Sequence, residues 1–242
     1  MLAVDPVLVT ITHITTLERG QVLTNATGFF YSHAQRLYLV TNRHVLIDEN
    51  SQHFPDTISI EIHVDQENLA RYESISLPLY QDNSPMWKQG ADSASTIDVA
   101  IVEIKPEWLP KNAIYQAFKR ENLLPPNAKV KLGQNILIAG FPLGFRDDLH
   151  RLPIVRSGII ASSYGLRFQG MGYFLTDART HRGSSGAPVI IECDQPENEF
   201  NWQLAGIHSA RFDIGSRDQN TDEALGVNCA WYTDILITLT EN

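Results

Sequence analysis

Cysteine is scarce. The 242 residues include two, Cys193 and Cys229, which can form at most one bridge. A disulfide framework is therefore excluded, and a reducing, cytoplasmic setting is expected. Positive charge is also short, with 19 Lys and Arg against 28 Asp and Glu and a formal charge of −9. Neutralising a phosphate backbone takes clustered cations. Lys131 and Arg146 are isolated, so no nucleic-acid surface is expected. Long apolar runs are missing too. None approaches the ~20 residues that span a bilayer, so no membrane partner is expected. Met1 to Thr10 carries an Asp and a Pro but no basic stretch, and does not read as a signal peptide. His13, His33, His53 and His63 show no ligand spacing, and Asp213, Asp218, Asp222 and Glu223 are scattered. Neither a metal site nor a cofactor is expected from them.

The chain has instead many short apolar runs separated by turn residues, the pattern of an all-β protein. Strands are expected at Val7 to Ile14, Gly28 to Tyr31, Leu37 to Thr41, Ile58 to Val64, Ile75 to Tyr80 and Asp98 to Ile104. A second group is expected at Asn135 to Ile138, Ile154 to Ser162, Gly172 to Leu175, Gly186 to Glu192, Trp202 to His208 and Leu225 to Trp231. Ser32-His33-Ala34-Gln35 reads as a hairpin turn, and a helical turn is expected after His44. Positions 81–90 read as a polar loop. The Pro-marked connection at 106–130 is given a short helix near Ile114 to Phe118, and Tyr232 to Leu239 a C-terminal helix. Trp87, Trp108, Trp202 and Trp231 read as packing residues.

One stretch organises the rest: Thr176-Asp177-Ala178-Arg179-Thr180-His181-Arg182-Gly183-Ser184-Ser185-Gly186-Ala187-Pro188. Its Gly-x-Ser-Gly-Ala-Pro core is a tight turn feeding the apolar run Val189-Ile190-Ile191. Glycines on both sides let the backbone approach a substrate carbonyl closely. The N–H groups of Gly183 and Ser185 can then point into one space, an oxyanion hole. Alone, such a turn is as readily only a turn. Thr41-Asn42-Arg43-His44 follows the apolar run Leu37-Tyr38-Leu39-Val40, and Asp98 heads the run Val99-Ala100-Ile101-Val102. A serine hydroxyl is a weak nucleophile until a base takes its proton. His44 is expected in that role, with Asp98 expected to fix its tautomer and stabilise its cation. Asp92 competes with Asp98, and Ser184 with Ser185. The position two after Gly183 and next to Gly186 selects Ser185.

Taken in the order His44, Asp98, Ser185, these residues resemble the triad of the chymotrypsin-like serine proteases, and most closely the bacterial Deg/HtrA branch without its PDZ module. The resemblance extends, in the family's order, to Thr27-Gly28-Phe29-Phe30, Ala139-Gly140-Phe141-Pro142-Leu143-Gly144, Val155-Arg156-Ser157-Gly158-Ile159-Ile160, Thr176-Asp177-Ala178 and Gly206-Ile207-His208. It covers most of the chain. It implies two six-stranded antiparallel β-barrels with a short C-terminal helix. The N-terminal barrel takes 1–115, a linker 116–134, and the C-terminal barrel 135–242. It also implies a serine endopeptidase acting on protein or peptide substrates. Two departures stand out. Secreted members carry a Cys after the catalytic His, where this chain has Val45. Trypsin-type zymogens carry an Asp before the nucleophile, where this chain has Ser184, so activity is not expected to await release of a new N-terminus. Thr180 and His208, followed by Ser209, stand where glutamyl endopeptidases and picornaviral proteases hold a Glu or Gln side chain. That placement implies cleavage after Glu or Gln, with Arg211 and His181 adding positive charge. A protease-fold binding or chaperone-like protein with a gated or inactive site, and a protease dedicated to one partner, are the alternatives. The sequence sets no oligomeric state.

Overall fold

The structure, a computed structural model, describes residues 4–92, 96–193, 200–211 and 226–241. In the N-terminal half, β1 (Ile11–Glu18), β2 (Gln21–His33) and β3 (Arg36–Thr41) form successive hairpins. Ala34 and Gln35 both have positive φ at the β2–β3 turn, the twist that a two-residue hairpin loop requires. Phe29 then faces Val40 and Tyr31 faces Tyr38 across the ladder. Next come the short helix α1 (Arg43–Leu46), β4 (Thr57–His63) and β5 (Tyr72–Pro78). The polar stretch expected as a loop is more structured. A small ladder joins β6 (Tyr80–Gln81) to β7 (Ser84–Pro85), and β8 (Trp87–Ala91) pairs with β9 (Thr96–Ile104). An edge strand needs only one buried face. Trp87 packs against the core there while Lys88 and Gln89 stay exposed, so the apolar alternation that marks a strand is thin. The resulting antiparallel sheet has seven strands in the order β5-β4-β1-β2-β3-β9-β8, one more than expected.

The C-terminal half is a closed six-stranded barrel, β10-β11-β12-β15-β14-β13. Its strands are β10 (Asn135–Gly140), β11 (Ile154–Ile160), β12 (Tyr173–Ala178), β13 (Pro188–Glu192), β14 (Trp202–Arg211) and β15 (Val227–Tyr232). The helix α2 (Asp234–Thr240) follows, so the all-β, chymotrypsin-like class with a short C-terminal helix holds. The short helix expected near Ile114 to Phe118 does not form. Ile114 N–H donates to His63 O at 2.7 Å, and Phe118 N–H donates to Phe30 O at 2.9 Å. Phe118 is fully buried, edge-on to Phe29, and this packing draws the segment out as a strap along the sheet.

One core cluster crosses the halves. It joins Phe29, Tyr31 and Phe118 to Ala139, Phe141, Ile207 and Trp231, and takes in Leu236 and Leu239 of α2. The cleft between the halves thus rests on shared packing. No disulfide joins Cys193 and Cys229. No helix among the described residues is long and apolar enough to cross a membrane. The acidic positions Asp213, Asp218, Asp222 and Glu223 lie outside the described residues.

Candidate active site

The end of β3 runs directly into α1, which places His44 in the first turn of that helix. Thr41 pairs with Ala100 of β9, so Asp98 emerges beside α1. The buried Asn42 fastens this junction by donating from Nδ2 to Asp98 O at 2.8 Å. The Asp98 carboxylate accepts from His44 N–H at 2.9 Å through Oδ1 and meets His44 Nδ1 at 2.8 Å through Oδ2. On the other side of the ring, His44 Nε2 lies 2.9 Å from Ser185 Oγ. An ionised carboxylate only accepts, so Nδ1 carries the proton and Nε2 presents a lone pair to the serine hydroxyl. Ser209 Oγ donates to Asp98 Oδ2 at 2.5 Å, and Ser209 O stands 3.3 Å from Ser185 Oγ. Burial is the largest single influence on the His44 ring and disfavours its cation. The hydrogen bond and charge of Asp98, with the charge of Asp48, outweigh it and raise the pKa above the ordinary value.

Neither competing residue meets the His44 ring. Asp92 pairs with Arg167 at 2.6 Å. Ser184 is buried, with its N–H given to His181 O. The nucleophile turn needs its glycines. Gly183 has φ +90°, and a Cβ there would stand 2.5 Å from Phe141 O and 2.9 Å from Leu143 N. Gly186 has φ +84° and lies tight against Thr27 O and Thr41 Oγ1. Arg182 O accepts from Leu143 N–H at 2.5 Å. In a trans peptide the carbonyl and the next N–H point to opposite sides, so Gly183 N–H is turned away from Leu143. Neither Gly183 N–H nor Ser185 N–H has an acceptor among the described residues.

Sequence reasoning missed what holds this turn. Thr27, fully buried on β2, donates from Oγ1 to Gly183 O at 2.7 Å and accepts from Phe141 N–H at 3.0 Å. Its own N–H donates to Ser185 O at 2.9 Å, and Thr41 Oγ1 donates to Thr27 O at 2.9 Å. The segment Thr27-Gly28-Phe29-Phe30 was visible as part of the resemblance. A hydroxyl that braces a turn 156 positions away leaves no local pattern.

Thr180, His208 and Ser209 are all buried beside the turn. Gly186 N–H donates to His208 O at 2.9 Å, which lays β14 against the nucleophile turn. Thr180 Oγ1 donates to Asn228 Oδ1 at 2.7 Å, while Asn228 Nδ2 donates to Ala178 O at 2.8 Å. Asn228 was not foreseen. The hydroxyl of Ser209, a residue expected against substrate, donates to Asp98. Arg211 ends β14, and its side chain lies outside the described residues. A cleft of about 550 Å³ opens over His44, Gly183 and Ser185, walled by Leu23 to Ala26 of β2 and by Asp48, His53 and Arg182. Among the described residues, no group of three or more His, Cys, Asp or Glu side chains is placed to hold a metal.

A carboxylate, an imidazole and a serine hydroxyl in line, at a cleft between an antiparallel sheet and a closed barrel, define the class of serine proteases with a chymotrypsin-like fold. Residues 26–195 match the trypsin-like peptidase domain, and the chain belongs to that family. That span contains His44, Asp98 and Ser185. Among solved structures, the chain is similar to the serine endoprotease from Yersinia pestis, at 18% identity and a TM-score of 0.57. The match covers 98% of this chain and 63% of the Yersinia chain, so the protein spans less than two thirds of that relative. It is also similar to Deg5, at 15% identity and a TM-score of 0.57, over 96% of this chain and 88% of that one. At these identities the likeness is one of fold. No curated protein matches the chain by sequence.

Proposed function

We propose that the protein hydrolyses internal peptide bonds by acyl transfer to Ser185. The observation that carries this reading is the unbroken relay of Ser209, Asp98, His44 and Ser185, with every link between 2.5 and 2.9 Å. His44 takes the Ser185 proton as the hydroxyl attacks the carbonyl carbon, then returns it to the leaving amine. A water, deprotonated by the same ring, cleaves the ester. Asp98 keeps the ring in the reactive tautomer. The free N–H groups of Gly183 and Ser185 are the donors for the developing oxyanion, and their lack of any other acceptor supports that role.

For specificity, Thr180 and His208 are the groups we assign to the side chain before the scissile bond. Ala178 O fixes the Asn228 amide, so the Thr180 proton goes to Asn228 and the Thr180 oxygen offers lone pairs. An acceptor at this place suits the amide of Gln, with His208 as the donor to its carbonyl. A Glu carboxylate requires Thr180 to turn from Asn228. We therefore read the preference as Gln, then Glu. Two cysteines that form no disulfide suit a reducing compartment, and we place the protein in the cytoplasm.

Cleavage of a randomised peptide library by wild type and Ser185→Ala, read by mass spectrometry, tests both parts. Cuts after Gln that vanish in the variant are expected. Cuts after small apolar residues retain the relay and remove the pocket assignment. Equal cutting by both proteins removes the relay.

A further inference from the structure

The cleft over His44 and Ser185 has two sides. Thr180 and His208, assigned above to the residue before the scissile bond, do not line the 550 Å³ cavity. That cavity runs instead along β2 and the chain that follows α1. With those two residues holding one side of the cut, the cavity falls to the segment that leaves with the amine. Its backbone edge is open. β2 reaches back to Gln21, but its ladder with β3 starts only at Phe29. Residues 21–28 thus pair on one edge, with β1. Thr27 turns both backbone groups to the other edge, where its N–H donates to Ser185 O and its O accepts from Thr41 Oγ1. Backbone groups alternate between edges along a strand, so Asn25 turns its N–H and C=O the same way, into the cavity that it lines. An extended leaving segment can pair with that edge.

The charge along this path is uneven. Asp48 and Glu18 line the sheet side, and no Lys, Arg or His forms an ion pair with either among the described residues. Asp48 is the better fixed. It is half-buried, with Oδ2 accepting from Ser51 Oγ at 2.5 Å and Oδ1 from Asn50 N–H at 3.2 Å. The Ser51 hydrogen bond holds its pKa below the ordinary value, so it is charged at neutral pH. Its charge reaches the His44 ring, which protonates the leaving amine in the proposed mechanism. Arg43 also feels Asp48 but is bound to Glu49 at 2.6 Å. Arg182 is the only Lys or Arg among the described residues that line the cavity, and it is exposed on the barrel side. Solvent screens a long exposed side chain more than a half-buried carboxylate held by two hydrogen bonds. The formal charge of −9 adds a general attraction for cations. We propose that Asp48 is a specificity-determining residue that selects Lys or Arg within the first two residues after the scissile bond, with Glu18 adding to the attraction. The effect on rate rests on the hydrolytic reading above, whereas the binding does not.

The probes are internally quenched peptides. Before the scissile bond they carry the residue that the library selects, or Gln if it selects none. At the first or second position after it they carry Lys, Glu or norleucine, which keeps the length of Lys without its charge. Wild type gives kcat/KM, and calorimetry on Ser185→Ala gives binding without turnover. The Lys peptide is expected to be cut about fivefold faster than the norleucine peptide, and the Glu peptide more slowly than both. The same order is expected in binding to Ser185→Ala, with the differences shrinking in high salt. Asp48→Asn is expected to bring the Lys-to-norleucine ratio within about twofold of unity, and Asp48→Lys to favour Glu. A ratio taken within one variant is untouched by any change in its overall activity. Equal cutting of the Lys and norleucine peptides by wild type overturns the proposal. So does a ratio unchanged in Asp48→Asn, or a preference for Glu that Arg182→Gln abolishes. If wild type cuts no peptide, the hydrolytic reading fails and Ser185→Ala decides the cavity. Tighter binding of the Lys peptide then supports the assignment, and equal or absent binding overturns it.

Discussion

At the scale of single residues, the account depends on where protons sit. In the proposed mechanism His44 acts as base only when neutral, and its pKa is raised above the ordinary value of about 6.5. The acid limb of kcat/KM should therefore lie above pH ~6.5, with rate rising with pH as the ring loses its proton. Asp98→Asn removes the main groups that raise it and lets the ring adopt the wrong tautomer. A drop on the order of 10⁴-fold in kcat is expected, with the limb moved to lower pH. A pH–rate profile checks both statements, and an unmoved limb counts against them. Thr27 bears on the same chemistry from behind. Thr27→Val leaves Gly183 O and Phe141 N–H without their partner in a fully buried place. We expect a stability loss of about 1–3 kcal/mol by urea titration and a fall of about tenfold in kcat, with KM little changed. An unchanged kcat in a folded variant speaks against a bracing role.

At the scale of elements, legibility followed burial pattern. Strands with one buried face and a solvated one, such as β4 with its alternation from Thr57 to His63, are readable because period two is imposed by packing. β8 was not, because an edge strand of Trp87, Lys88, Gln89, Gly90 and Ala91 carries one large apolar side chain. The strap ending at Phe118 was not, because its backbone partners, His63 and Phe30, are far away in sequence. The meeting of His44, Asp98 and Ser185 was legible because each lies within a few residues of an apolar run. Asn228 and Thr27 were not, since a buried polar residue inside a strand looks like any other until its partner is known. One element contact carries its own test. His13 on β1 lies edge-on to Phe141, and burial, with Arg146 and Arg151 nearby, lowers its pKa to about 4. The unfolded chain binds this proton near pH 6.5 and the folded one near 4, so stability is lost as pH falls through that window. The loss is on the order of 3 kcal/mol, readable in urea midpoints. His13→Phe should flatten that dependence, and an unaltered slope would assign it elsewhere.

At the scale of the whole molecule, the halves are coupled by one core and by the site itself. Phe29 and Phe118 pack with Ala139, Phe141 and Trp231, and Thr27 of one half holds Gly183 of the other. Unfolding should therefore be a single cooperative transition, with fluorescence and circular dichroism coincident. Two separated transitions would show that the halves are independent. The same architecture sets the central claim, because a base carried by the sheet and a nucleophile carried by the barrel are reactive only when both halves are in place. The most direct measurement is the intact mass of the protein after exposure to a fluorophosphonate, with the adduct located by peptide mapping. The account requires one adduct, on Ser185, that is lost in His44→Ala. No adduct on the wild type, or one on Ser184, would contradict it.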